Sequence, residues 1–149
     1  MRTLASALMG VVTGVIASAG SPAPATAQQA VSIESRFAQA NGVRLHYLVA
    51  GKGNPVFLLH GYAQNSHMWR PLIAALAKTN TVIAPDLRGF GQSDKPAQGY
   101  DKKTMAQDIH ALAQGRGYRR VRVAGHDIGL MVAYAYAAQS TPTMSIGSS

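Results

Sequence analysis

The sequence predicts an α/β fold: a largely parallel sheet flanked by helices and entered through an N-terminal antiparallel hairpin. Three observations carry this reading. Apolar runs at 55–60, 81–84 and 121–124 have the length and content of strands buried on both faces. A helical pattern follows each of them, at 67–78, 102–114 and 130–139. Asn41-Gly42 separates two alternating segments, 32–38 and 43–49, and Asn-Gly is a strong hairpin signal. Repeated strand–helix alternation after a hairpin argues for helices layered on a sheet.

The elements follow in order. Residues 1–27 have the basic start (Arg2), short apolar core (4–19) and small-x-small end (Ala25-Thr26-Ala27) of a secretory signal peptide. Cleavage is expected after Ala27, with export to the periplasm or the outside. No later segment reaches the ~18 consecutive apolar residues of a membrane span, so no stable membrane insertion is expected afterwards. The hairpin comes next, and Gly51-Lys52-Gly53-Asn54 turns the chain into the first buried strand. In the helix at 67–78, Met68, Leu72, Ala75 and Leu76 form the apolar stripe, with Ile73 beside them. The strand at 81–84 ends at Pro85-Asp86, and a Gly-rich loop at 88–96 follows. Asp101 is the expected N-cap of the helix at 102–114, in which Met105, Ile109 and Leu112 share a face. The last strand passes through a turn at 125–129 into a helix whose residues 131–136 read as core packing.

Composition excludes several classes. The chain has 149 residues, 14 Lys plus Arg, 6 Asp plus Glu and no Cys. That suits one domain or part of a larger one, and rules out a disulfide scaffold, a Cys-ligated zinc site and a Cys nucleophile. The net charge of +8 is spread along the chain; its one cluster, Arg116, Arg119, Arg120 and Arg122, lacks the interleaved aromatics of a base-stacking surface. No nucleic-acid partner is expected. No His/Asp/Glu cluster has metal-ligand spacing.

The chemistry concentrates at residues 122–130, where G-x-D-x-G lies between a buried strand and a helix. The related G-x-S-x-G turn is the nucleophile elbow: small residues permit a strained turn that raises one side chain above the sheet at a helix N-terminus. Here that side chain is Asp127. A carboxylate nucleophile needs no base for its first attack, and can form an alkyl ester at an sp3 carbon. A histidine-activated water must then hydrolyse the ester. The backbone N–H groups of Tyr62 and Ile128 are the expected oxyanion donors. His60, Gly61, Trp69 and His126 are assigned to the substrate pocket. His60 itself shapes the turn rather than acting as the base, and Trp69 reads as either core or pocket wall. The loop at 88–96 reads as a rim of the site, since it lacks the Gly-Lys-Ser/Thr of a phosphate loop. His46, His67 and His110 carry no functional signal.

His60-Gly61-Tyr62, His67-Met68-Trp69, the run from Asp86 to Pro96 and Gly125-His126-Asp127-Ile128-Gly129 together resemble the α/β-hydrolase superfamily, in its epoxide hydrolase and dehalogenase branch. The resemblance implies an Asp nucleophile, a His base with an acidic partner, a small-molecule substrate (an epoxide or an organohalide), and neither cofactor nor metal. Two positions depart from the pattern. Ala63 stands where epoxide hydrolases usually carry Pro, and Ile128 stands where haloalkane dehalogenases carry Trp and fluoroacetate dehalogenases Arg. The second departure favours epoxide over halide chemistry. After Asp127 the chain contains no Asp, Glu or His. Residues 28–139 are therefore expected to be the N-terminal half of the domain, truncated after the elbow helix, with an aberrant, frameshift-like tail at 140–149. Such a chain would be inactive in turnover. The alternatives are a haloalkane or haloacid dehalogenase, and a catalytically dead fragment or binding module.

Overall fold

The computed structural model describes residues 31–140. The expected leader and tail lie outside them, apart from residue 140 at the end of the last helix. Nine elements follow one another: strands β1 (Glu34–Ala40), β2 (Val43–Ala50) and β3 (Asn54–Leu59), a 3-10 turn (Ser66–Trp69), helix α1 (Arg70–Leu76), strand β4 (Asn80–Pro85), helix α2 (Lys102–Gly115), strand β5 (Arg122–Gly125) and helix α3 (Ile128–Ser140).

The predicted hairpin is present. Ala40 pairs with Val43, so Asn41 and Gly42 alone connect β1 to β2, and both have positive φ, 50° and 79°. That is the mirror-image turn whose twist matches the strands. The sheet order is β1-β2-β4-β3-β5. β2 runs antiparallel to both β1 and β4, while β3 is parallel to both β4 and β5. After β3 the chain steps one way to β4, and after β4 it crosses back over β3 to β5. Ligand crevices of α/β sheets form at such a reversal, beyond the carboxyl ends of the strands.

Strand alternation sends side chains to two cores. Tyr47, Phe57, Leu59 and Ile83 meet Met105, Ile109 and Leu112 of α2 and Val132 of α3. Leu48, Ala50, Leu58, Val82 and Ala84 meet Ile73 and Ala77 on the α1 face. Asp101 caps α2 as expected, its carboxylate accepting from the Thr104 N–H at 2.9 Å.

Three expectations of burial are corrected. In the α1 region Ile73 is buried, whereas Met68, Leu72 and Ala75 of the expected stripe are exposed and Leu76 is half-buried. Pro71 starts the α-helix at its first turn, and the preceding residues wind with three residues per turn, so Met68 falls out of phase. β5 is not buried on both faces: its residues alternate between exposed and half-buried, because it is the last strand of the sheet among the described residues. On α3, Val132 packs inward, but Met131 and Tyr134 are 58% and 78% exposed, so residues 131–136 are not uniformly core.

Candidate functional site

Asp127 occupies the turn between β5 and α3 with φ +52°, a left-handed conformation costly for any residue with a Cβ. The surroundings enforce it. The His126 N–H donates to the Leu59 carbonyl at 3.0 Å, tying the turn to the end of β3. A Cβ on Gly129 would lie 2.3 Å from that same carbonyl oxygen, and one on Gly125 would lie 2.2 Å from the Gly129 oxygen. Neither contact is sterically possible, so both glycines of G-x-D-x-G are required by close backbone approach. The Leu130 N–H donates to the Asp127 carbonyl at 2.9 Å and opens α3.

The loop after β3 meets this turn. The Tyr62 N–H donates to Asp127 Oδ2 at 2.9 Å. A Cβ on Gly61 would come within 3.0 Å of both Asp127 Cβ and His126 Cδ2. The Gly61 N–H is satisfied by the Gln64 side chain at 2.9 Å. Ala63 has φ +55°. Proline is locked near −65°, so this loop conformation and a proline here are incompatible. The departure at Ala63 thus has a structural counterpart in the backbone.

His60 lies beneath the loop, fully buried. Its Nε2 accepts the Leu87 N–H at 2.9 Å, and its Nδ1 lies 2.8 Å from the Gly61 carbonyl. A backbone N–H only donates, so Nε2 is the bare nitrogen and Nδ1 carries the proton. Burial pushes the His60 pKa below its ordinary value, overriding the opposing Gly61 carbonyl and Asp86 carboxylate. Phe90, from the loop after β4, stands edge-on to both His60 (5.3 Å between ring centres) and Tyr62 (6.2 Å).

The structure therefore brings together Asp127, Tyr62, Gly61, His126 and, below them, His60. Trp69 packs instead with Leu48 and Ile73 on the α1 face, its indole N–H buried without a partner among the described residues. The half-buried Ile128 side chain packs against the core that contains α2 and Val132 of α3.

Sequence reasoning missed one polar centre. Asp86 is buried, and its Oδ2 accepts from His46 Nδ1 (2.9 Å) and the Gln92 N–H (2.8 Å), its Oδ1 from the Ser66 N–H (2.7 Å). Burial alone would push the carboxyl up, but the Gln92 and Ser66 N–H groups and His46 outweigh it and hold the pKa below its ordinary value. Gly91, at φ +50°, folds over this carboxylate so closely that a Cβ would lie 2.0 Å from Oδ2. Asp86 thus anchors both loops flanking the Asp127 turn. His46, which carried no signal in the sequence, is fully buried against it.

Comparison with known proteins agrees with this geometry. A family model for the alpha/beta hydrolase fold matches residues 54–144. The chain is 53% identical over 100 residues to the soluble epoxide hydrolase of Corynebacterium sp. (strain C12), covering 67% of this chain and 35% of that protein. It is 38% identical over 101 residues to the fluoroacetate dehalogenase of Burkholderia sp, covering 64% of this chain and 33% of that one. The solved structure of the epoxide hydrolase CorEH without ligand superposes with a TM-score of 0.71 at 50% identity, covering 72% of this chain and 38% of that chain. The chain spans about a third of the length of the curated relatives it matches. A strained aspartate between strand and helix, met by a backbone donor from the loop after β3, and these matches lead to one assignment: the chain belongs to the alpha/beta hydrolase fold family.

Proposed function

We propose that this chain carries the nucleophile and oxyanion-binding part of an epoxide-opening site. Asp127 Oδ1 attacks a ring carbon, the ring C–O bond breaks, and the freed oxygen takes up a proton to leave a hydroxyalkyl ester on Asp127. Water attack on the ester carbon would then release a diol. The observation that carries this reading is the 2.9 Å contact from the Tyr62 N–H to Asp127 Oδ2. If Oδ1 forms the ester, Oδ2 becomes its carbonyl oxygen and bears the negative charge when water adds. The donor already stands within the 2.7–3.1 Å range from which such charge is stabilised. In acyl transfer by a serine the oxyanion belongs to the substrate. A donor on the nucleophile's own oxygen suits chemistry in which the ester carbonyl belongs to the protein.

The second reading replaces the epoxide by an organohalide, with halide leaving from the attacked carbon; the relative from Burkholderia sp is named for such a reaction. Ile128 follows the nucleophile with a hydrocarbon side chain that offers a halide no N–H donor, which favours the epoxide. A third reading is a binding module without chemistry.

One experiment separates the three. The chain has no Asp, Glu or His after Asp127, so the ester is expected to persist. After incubation with styrene oxide, intact mass should rise by one epoxide, and fragmentation should place it on Asp127; Asp127→Asn should gain nothing. An adduct formed only with chloroacetate would favour the halide reading. No adduct with either reagent, on protein with a folded far-UV spectrum, would leave only the binding module.

A further inference from the structure

We propose that Ser35, His46 and Asp86 form a second nucleophilic centre, separate from Asp127, in which Ser35 accepts acyl or phosphoryl groups from activated donors. Ser35 Oγ lies 2.7 Å from His46 Nε2, and His46 Nδ1 lies 2.9 Å from Asp86 Oδ2. The carboxylate only accepts, so Nδ1 carries the proton. In the neutral ring Nε2 then offers its lone pair to the Ser35 hydroxyl. Nucleophile, base and orienting carboxylate stand in the order that activates a hydroxyl, and such sets are recognised by geometry rather than sequence position.

The set is rigid at its inner end and open at its outer one. His46 is 0% and Asp86 1% exposed. The His46 backbone N–H is held by Ser93 Oγ at 2.9 Å, and that hydroxyl donates to the Asp86 carbonyl at 2.6 Å. Phe37 covers the imidazole from one side, its ring centre 5.1 Å away. Ser35, by contrast, is exposed, on the strand that begins the sheet order among the described residues. The serine is thus the exposed member of the set, and its base is the buried one. The place is also distinct. β1 is the first strand of the sheet order and Asp127 follows the last, on the order of 20 Å away at the usual strand spacing.

With a fluorophosphate, the Ser35 Oγ–P bond forms and the P–F bond breaks. Fluoride leaves, and the hydroxyl proton passes to His46 Nε2, giving an imidazolium paired with the Asp86 carboxylate. With a nitrophenyl ester, the Oγ–C bond forms and nitrophenolate leaves by the same route. No cofactor enters either step.

The test treats the full chain with diisopropyl fluorophosphate and maps the adducts by fragmentation. Ser35 should react about 100-fold faster than the exposed Ser32 of the same molecule, the gain ascribed to a positioned base. Unfolding in urea should bring the ratio to about one. Ser35→Ala should lose the fast adduct, and His46→Gln should slow it to the rate of Ser32. Equal labelling of Ser35 and Ser32 in the folded chain would overturn the proposal, whatever the variants do. So would a folded His46→Gln protein that keeps the original rate. Asp127 does not confound the readout, because a carboxylic–phosphoric anhydride hydrolyses and leaves no stable adduct.

Discussion

Ala63, at φ +55°, stands between the residue whose N–H holds Asp127 and the residue whose side chain holds Gly61. A left-handed alanine costs about 1 kcal/mol that glycine does not. Ala63→Gly should therefore raise stability by up to about 1 kcal/mol in urea denaturation. Ala63→Pro should lower it, and should also slow Asp127 alkylation, because the loop must rebuild to reach a negative φ. A proline variant at least as stable as the parent would refute this loop conformation. Legibility at this scale followed locality. Asp127 was readable because its requirements, two glycines and a following helix, sit within a few positions of it. His46 was not, because its partners Ser35 and Asp86 lie 11 and 40 residues away, and nothing beside it in sequence announces either. Trp69 was ambiguous for a related reason: whether an aromatic faces a core or a cleft depends on which side of the sheet its helix covers.

Elements are joined by a buried ion pair that the sequence did not disclose. Arg88 lies in the loop after β4, which reads in the sequence as a rim of the site. It is buried, with Nε 2.6 Å from Asp108 Oδ2 on α2, and the same carboxylate accepts from Asn41 Nδ2 at 2.8 Å. The Asp108 hydrogen bond raises the guanidinium pKa above its ordinary value, against the effect of burial. Removing one partner leaves the other charge buried and unpaired. Asp108→Ala should cost about 3–5 kcal/mol, whereas the double change Arg88→Met with Asp108→Leu should cost much less. Chemical denaturation of both would show it; a single variant as stable as the double would contradict the pairing. The elements themselves were legible from periodicity and turn chemistry. What failed was exposure on α1, β5 and α3. Periodicity says which residues share a face. It does not say what covers that face, and it loses phase where a 3-10 turn precedes a helix.

For the whole molecule, the fold class was legible because a hairpin followed by alternating strands and helices implies helices layered on a sheet; the strand order came only with the structure. The response to acid was not, since it depends on two residues buried by different loops. His60 is held below its ordinary 6.5 and Asp86 below its ordinary 3.8. For His60, the unfolded chain takes up a proton that the folded chain refuses, so stability is complete above about pH 6.5 and falls as pH drops toward the folded value. For Asp86, the folded chain refuses a proton below about pH 3.8, and a second loss begins there. Each limb has a slope of at most about 1.4 kcal/mol per pH unit. Urea midpoints measured from pH 7.5 to 3 should show both limbs, and His60→Gln should remove the upper one. A midpoint constant from pH 6.5 to 4.5 in the parent chain would exclude the His60 contribution. A slower change is built into the hairpin. Asn41 is followed by glycine, whose unhindered nitrogen can close on the side-chain amide and expel ammonia. Water then opens the resulting succinimide to an aspartate or isoaspartate, turning the donor that now holds Asp108 into a second negative charge facing it and loosening the hairpin from α2. A stored preparation would thus acquire negative charge and lose cohesion together, at the one turn that was plainest in the sequence.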